Sequence, residues 1–217
     1  MRYFLLPISW IYVSIVSIRN LFFDTQIFHS KNIDNAIGVG NLSMGGTGKS
    51  PLSVYIAELI LRNQGEPALL SRGYGRKTRG FIEVNEDSLS QGVGDEPLMF
   101  KQRFKDKVGV YVCENRTLGS KNIRGNSPKS TIIFDDVFQH RKIKPSLSIL
   151  TTPYGDPFYT DHILPVGRLR EPRISAHRAD CIVVTKCPKT LSDEDYRKVK
   201  NKLSKFSKPI FFSHIEY

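Results

Sequence analysis

Residues 36–64 read AIGVGNLSMGGTGKSPLSVYIAELILRNQ. The apolar run Ala36–Asn41 predicts a buried strand, and Lys49–Gln64 carries apolar residues at helical spacing until Gly65 closes it. Between them lies a glycine loop. The phosphate-loop pattern G-x-x-x-x-G-K-[ST] is met by Gly48, Lys49 and Ser50, but Ser43 stands where its first glycine belongs. Gly45 and Gly46 sit inside the loop instead and let the backbone bend around an anion with no Cβ in the way. Ser43 is tolerable there if it keeps a negative φ. Strand, loop and helix in this order are what a phosphate site requires. Backbone N–H groups and the helix dipole would cradle the phosphate oxygens. Lys49 would reach the β- and γ-phosphates, and the Ser50 hydroxyl would ligate Mg²⁺. A lysine directly before Gly-Gly-x-Gly-Lys-[ST] would mark the partitioning and maturation ATPases. Met44 stands there, so that test fails, although a nucleotide-driven switch of that type remains the alternative reading.

Outward from the loop, short apolar runs alternate with amphipathic stretches. PALLSRG (67–73), VGVYVCE (108–114), STIIFDD (130–136), LSILTT (147–152), CIVVTK (181–186) and PIFFSHIEY (209–217) predict strands, with GFIEV (80–84) a short one. DEPLMFKQRF (95–104) predicts a helix with Pro97 in its first turn, and LSDEDYRKVKNKLSKFS (191–207) another, capped by Ser192. The expected fold is α/β: a phosphate-loop NTPase-like, mostly parallel sheet with helices on both faces.

Acidic residues stand where such a sheet binds ligands, at the carboxyl ends of strands. Asp135 and Asp136 follow four apolar residues, and one of them should hold Mg²⁺ directly or through water. Asp95 and Glu96 open a helix, where capping alone would explain them. Phosphoryl transfer to an alcohol also needs a group to take or orient the hydroxyl proton, and Asp95 is the best placed outside the metal pair. SRGYGRKTRG (71–80) sets Arg72, Arg76, Lys77 and Arg79 on a turn suited to a phosphorylated acceptor, and LPVGRLREP (164–172) adds Arg168, Arg170 and Glu171. VVTKCP (183–188) resembles the T-K-x-D with which GTPases read guanine. Pro188 replaces the aspartate, leaving ATP as the default.

Composition narrows the classes further. The 217 residues are 40% hydrophobic and 24% charged, enough for one sizeable core. Thirty-two Lys and Arg against twenty-one Asp and Glu give +11, which implies an anionic partner. Nucleic acid is not expected, because the lysine-rich stretch near the carboxyl end reads as a solvated helix face. Three cysteines without CxxC spacing imply buried thiols, not a metal site or disulfide framework. At the amino terminus, Tyr3–Ile18 is a run of sixteen uncharged residues, a little short of the roughly 20 that span a bilayer. Tyr3, Trp10 and Tyr12 are interfacial aromatics. No small-x-small cleavage site follows. Being apolar on every side, the run favours membrane attachment over a core helix, and spanning and lying in the interface both stay open.

Together PISWIYVSIVSIRN (7–20), GVGNLSMGGTGKSP (38–51), SRGYGRK (71–77), GDEP (94–97), DDVFQHR (135–141) and LPVGRLREP (164–172), in this order, resemble the tetraacyldisaccharide 4'-kinase family, the lipid A kinases of Gram-negative bacteria. VVTK and PIFFSHIEY continue the pattern, and the family's loop also lacks the first glycine. The resemblance implies transfer of the ATP γ-phosphate to the 4'-hydroxyl of an acylated glucosamine disaccharide 1-phosphate, giving lipid IVA. The site would lie on the cytoplasmic face of the bacterial inner membrane, against anionic lipid, in a protein expected to be a monomer. It implies nucleotide binding by Gly45, Gly46, Thr47, Gly48, Lys49 and Ser50, and Mg²⁺ organised by Ser50, Asp135, Asp136, Glu96 and Glu171. It implies catalytic roles for Asp95 as base and for Lys49, His140 and Arg170, with Ser71, Arg72, Tyr74 and Arg76 facing substrate. It divides the chain into a membrane-associated helix at 1–30 and a kinase domain at 31–217. Family chains continue with a further α/β portion that closes over the nucleotide and supplies a histidine behind the aspartate base. No position here matches it, so a carboxyl-terminally truncated member is expected.

Overall fold

The computed structural model describes residues 2–216. The side chain of Tyr3 and residue Tyr217, both read above, lie outside the described residues. In chain order the elements are α1 (Leu6–Asp24), β1 (Lys31–Asn41), α2 (Lys49–Arg62), β2 (Pro67–Ser71), β3 (Ile82–Glu83), α3 (Ser90–Val93), α4 (Asp95–Phe104), β4 (Gly109–Val112), α5 (Arg116–Asn126), β5 (Thr131–Asp135), β6 (Ile143–Pro153), β7 (Cys181–Thr185), α6 (Asp193–Ser204) and β8 (Ile210–Phe212). One eight-stranded sheet runs β3-β4-β2-β5-β1-β6-β7-β8, parallel throughout except for the antiparallel β3–β4 edge pair.

Each strand is apolar on both sides because each side of the sheet is covered. Leu69, Ile133, Val39, Ile149 and Val183 face a core shared with Ile56 and Ala57 of α2 and Phe100 of α4. Their neighbours Leu70 and Phe134 pack with Ile123 of α5, and Leu150, Ile182 and Val184 with Val199 and Leu203 of α6. Helices therefore lie on both faces. β1 sits between β5 and β6, while the chain leaving β1 through α2 returns to β2 beyond β5. That reversal opens a crevice at the carboxyl end of β1, and the glycine loop fills it.

Several features depart from the expected elements. β1 begins at Lys31, with a register shift between Ile33 and Ile37, and β6 begins at Ile143. α5 is an additional helix. α1 is long and apolar enough to cross a membrane by length and composition, but it has a docking stripe. Ser9 Oγ donates to the Ile163 carbonyl at 3.3 Å and Tyr12 Oη to the Arg170 carbonyl at 2.9 Å. Val16 is buried, Arg19 and Asn20 reach Glu171, and Arg141 pairs with Asp24 at 2.6 Å. Positions 9, 12, 16, 19, 20 and 23 or 24 share one helical face. On the other side Ile8, Ile11, Ile15 and Ile18 are exposed.

Candidate active site

The loop is shaped by polar side chains at strand ends. Asn41, the buried last residue of β1, donates through Nδ2 to the Ser43 carbonyl at 2.6 Å and to Thr47 Oγ1 at 2.7 Å. Thr151 of β6 meets the same hydroxyl at 3.1 Å. Ser43 is bridged to Leu169 and is not among the positive-φ residues, so no glycine is needed there. Gly48, the N-cap of α2, has φ +79°, and a Cβ on it would lie 3.0 Å from Thr185. Both its conformation and its room require glycine.

Lys49 and Ser50 open α2 and face acids from β5 and α4. Lys49 Nζ stands 3.9 Å from Asp136 Oδ1, the Ser50 hydroxyl donates to the Glu96 carboxylate, and Ser53 Oγ donates to Asp135 Oδ1 at 2.8 Å. Asp135 is 2% exposed. Burial pushes its carboxyl above the usual range. Burial likewise lifts Glu96 to about 7, and the nearby Asp135 carboxylate adds to the lift while Lys49 opposes it. Burial would raise Asp136 as well, but the fork of Arg170, with Lys49 and Arg116, outweighs it and holds that carboxyl below the usual range. The fork is bidentate, at 2.8 and 3.1 Å. Asp136 holds a left-handed φ of +49° to make this pairing.

Among the described residues no three His, Cys, Asp or Glu side chains group into a metal cage. Mg²⁺ does not need one, since it takes one or two carboxylates and completes its shell with phosphate and water oxygens. A buried carboxylate short of positive partners, beside Ser50 and Glu96, fits that donor set.

The other expected residues divide. Thr47 is tied into the loop, and Gly45 and Gly46 line it. Asp95 is exposed at the first position of α4, where it makes no capping bond. His140 follows the Asp135–Asp136 turn, and burial, then Arg116, Lys142 and Arg72, lower it to about 4, so it is neutral at pH 7. Ser71 is buried at the end of β2 and accepts from the Gly73 N–H, whereas Arg72 and Tyr74 are exposed. Arg76 is folded back onto the Gly80 carbonyl at 2.8 Å and onto Glu114. It braces the turn rather than offering a free cation. Glu171 is not paired with the acids around Lys49: it is 1% exposed and held by Arg19 at 3.1 Å, Asn20 at 3.0 Å and Arg178 at 2.7 Å. Three donors from α1 and the 173–178 turn absorb its charge.

Several residues at the site were not singled out in the sequence. Arg116, 3% exposed, opens α5 and donates to the Cys113 carbonyl at 2.5 Å and the Asp135 carbonyl at 3.4 Å. Burial lowers it to about 10 against the pull of both aspartates. Asn41 and Ser53 complete the loop and the buried acid. Thr185 Oγ1 donates to the Thr47 carbonyl at 2.7 Å, and Lys186 Nζ to the Gly46 carbonyl at 2.6 Å. For Asn41, Thr185 and Lys186 the strand-end position was the available signal.

The family model described as tetraacyldisaccharide-1-P 4'-kinase matches residues 1–214. A tetraacyldisaccharide 4'-kinase of Flavobacterium johnsoniae is 46% identical, covering 100% of this chain and 64% of its own length. One of Bacteroides thetaiotaomicron is 40% identical over 98% of this chain and 57% of its own. The chain thus spans about three fifths of the length of these curated relatives. A crystal structure of LpxK from Aquifex aeolicus, in complex with ATP, superposes with a TM-score of 0.78 at 27% identity, covering 98% of this chain and 80% of that one. With nearly its whole length matched, the chain belongs to the tetraacyldisaccharide-1-P 4'-kinase family.

Proposed function

We propose that the protein transfers the γ-phosphate of ATP to the 4'-hydroxyl of an acylated glucosamine disaccharide 1-phosphate, giving lipid IVA. The observation that carries this reading is the facing of Lys49 and Ser50 with Asp135, Asp136 and Glu96 across the crevice at the end of β1. Loop N–H groups and Lys49 take up the charge spread over the transferred phosphoryl group. Ser50, Asp135 and Glu96 are the residues that would hold Mg²⁺, which when bound neutralises charge on the phosphate oxygens. Arg170 keeps Asp136 ionised and oriented beside Lys49. The exposed Asp95 carboxylate takes the proton of the acceptor hydroxyl. Arg72 and Tyr74 are free to meet the phosphorylated disaccharide.

α1 supports a place on the cytoplasmic face of the inner membrane. Docked along its polar stripe, it lies on the globular part and turns Ile8, Ile11, Ile15 and Ile18 outward, as an interfacial helix does. The reading thus favours 1–30 as a membrane-associated segment lying in the interface, with 31–217 as the catalytic body, acting as a monomer. The +11 charge suits both anionic lipid and substrate.

The test is transfer of labelled γ-phosphate to the tetraacyl disaccharide 1-phosphate in detergent, with Asp95→Ala as control. Transfer that the substitution abolishes is expected. Silence both from this chain and from one continued to the full family length would overturn the reading.

A further inference from the structure

We infer that Lys186 is a specificity-bearing residue of the nucleotide site: its ammonium pins the phosphate loop, and its stem is the shelf for the nucleobase. The inference rests on the ATP-dependent reading above. Asp135 and Asp136, with Arg170, mark the β5 side of the loop as the end where the transferred phosphoryl group belongs. A triphosphate laid from there across the start of α2 leaves its nucleoside on the opposite side, over the ends of β6 and β7. Thr185 closes β7, and Lys186 follows it, exposed.

Two loop carbonyls are taken up from this side, Thr47 by the Thr185 hydroxyl at 2.7 Å and Gly46 by the Lys186 ammonium at 2.6 Å. A carbonyl lone pair turned toward a polyphosphate would repel it, so occupying both leaves the N–H groups to face the anion. Thr185 also fills the space beside Gly48. Lys186 has φ +56°, a region that a residue with a side chain holds only when its surroundings over-determine it. With the ammonium anchored on Gly46, the methylene stem is held beside the loop, where it would offer an apolar surface. Pro188 supplies no carboxylate for ring N–H groups, so the shelf reads a base by its face.

The test is calorimetric binding of ATP and of inorganic tripolyphosphate, each with Mg²⁺, to the wild type, K186M, K186G, K186R and K49A. Glycine removes the side chain while relieving the positive φ, so a loss there is not backbone strain. K186M is expected to weaken both ligands alike, by about tenfold, the worth of one charge-assisted hydrogen bond. K186G should weaken ATP by about threefold more while leaving tripolyphosphate as in K186M, and K186R should restore most of both. K49A should lose both. Unchanged binding in K186M and K186G, with K49A impaired, would overturn the inference and leave the phosphate site standing. An equal ATP-to-tripolyphosphate ratio in K186M and K186G would overturn the shelf. A wild type that binds neither ligand would overturn the phosphate site and the inference together.

Discussion

At the scale of single residues, the acids beside Lys49 are unequal in a way that pH will reveal. Folded Glu96 titrates near 7 against an ordinary 4.5. Between those values the folded chain holds a proton that the unfolded chain has released. Its contribution to stability is therefore full below 4.5 and lost as pH rises through 7, a change on the order of 2 kcal/mol. Glu96→Gln should remove this dependence. Its melting temperature should gain on the wild type by about 4–8 °C between pH 5 and pH 8. Parallel melting curves for the two proteins would show that Glu96 is not the group responsible. Mg²⁺ should stabilise the wild type more at pH 8 than at pH 5, because the metal requires the ionised carboxylates. A second residue-scale expectation concerns Gly48. Gly48→Ala should cost about 1–3 kcal/mol in chemical denaturation and abolish measurable ATP binding, since a Cβ there is strained by φ and crowded by Thr185.

At the scale of elements, α1 is held by a buried carboxylate. Glu171→Ala would leave Arg19 and Arg178 facing each other without a counter-charge, and should destabilise the protein by about 3–5 kcal/mol. Hydrogen exchange should rise first across 6–24; protection unchanged there would mean the helix is held by its apolar contacts. Elements also show what sequence could reveal. β1, β2, β5 and β7 were legible because parallel strands covered on both sides leave continuous apolar runs, and α2 and α4 because Gly48 and Pro97 mark their starts. α5 was not, since it packs through Gly119 close against Leu70 and Cys113 and its large apolar residues are few, Leu118 and Ile123. The phosphate loop and the acids after β5 were legible from motif and strand end. Arg116 and the pairing of Glu171 with α1 were not, because the partners are 19 residues away or more, except for Cys113 and Arg178, and only the fold brings them together.

At the scale of the whole molecule, an excess of positive charge and an outward apolar helix face act together. Binding to vesicles containing anionic lipid should weaken with salt but not vanish, because the isoleucine stripe adds a part that salt does not screen. Replacing Ile11 and Ile15 by Asp should leave only the salt-sensitive part, measured by co-sedimentation in 1 M NaCl. Equal retention of both proteins at that salt would rule out α1 as the membrane element.

The hydroxyl of Tyr12 rests on the backbone of Arg170, whose guanidinium clasps Asp136. On the proposed reading, α1 stands mechanically in series with the candidate site: bilayer, helix, arginine, aspartate. A derivative made by cutting away the first 24 residues would then lose a strut of the candidate site along with the proposed membrane contact. Its silence in an assay would say nothing about whether the chemistry needs a membrane.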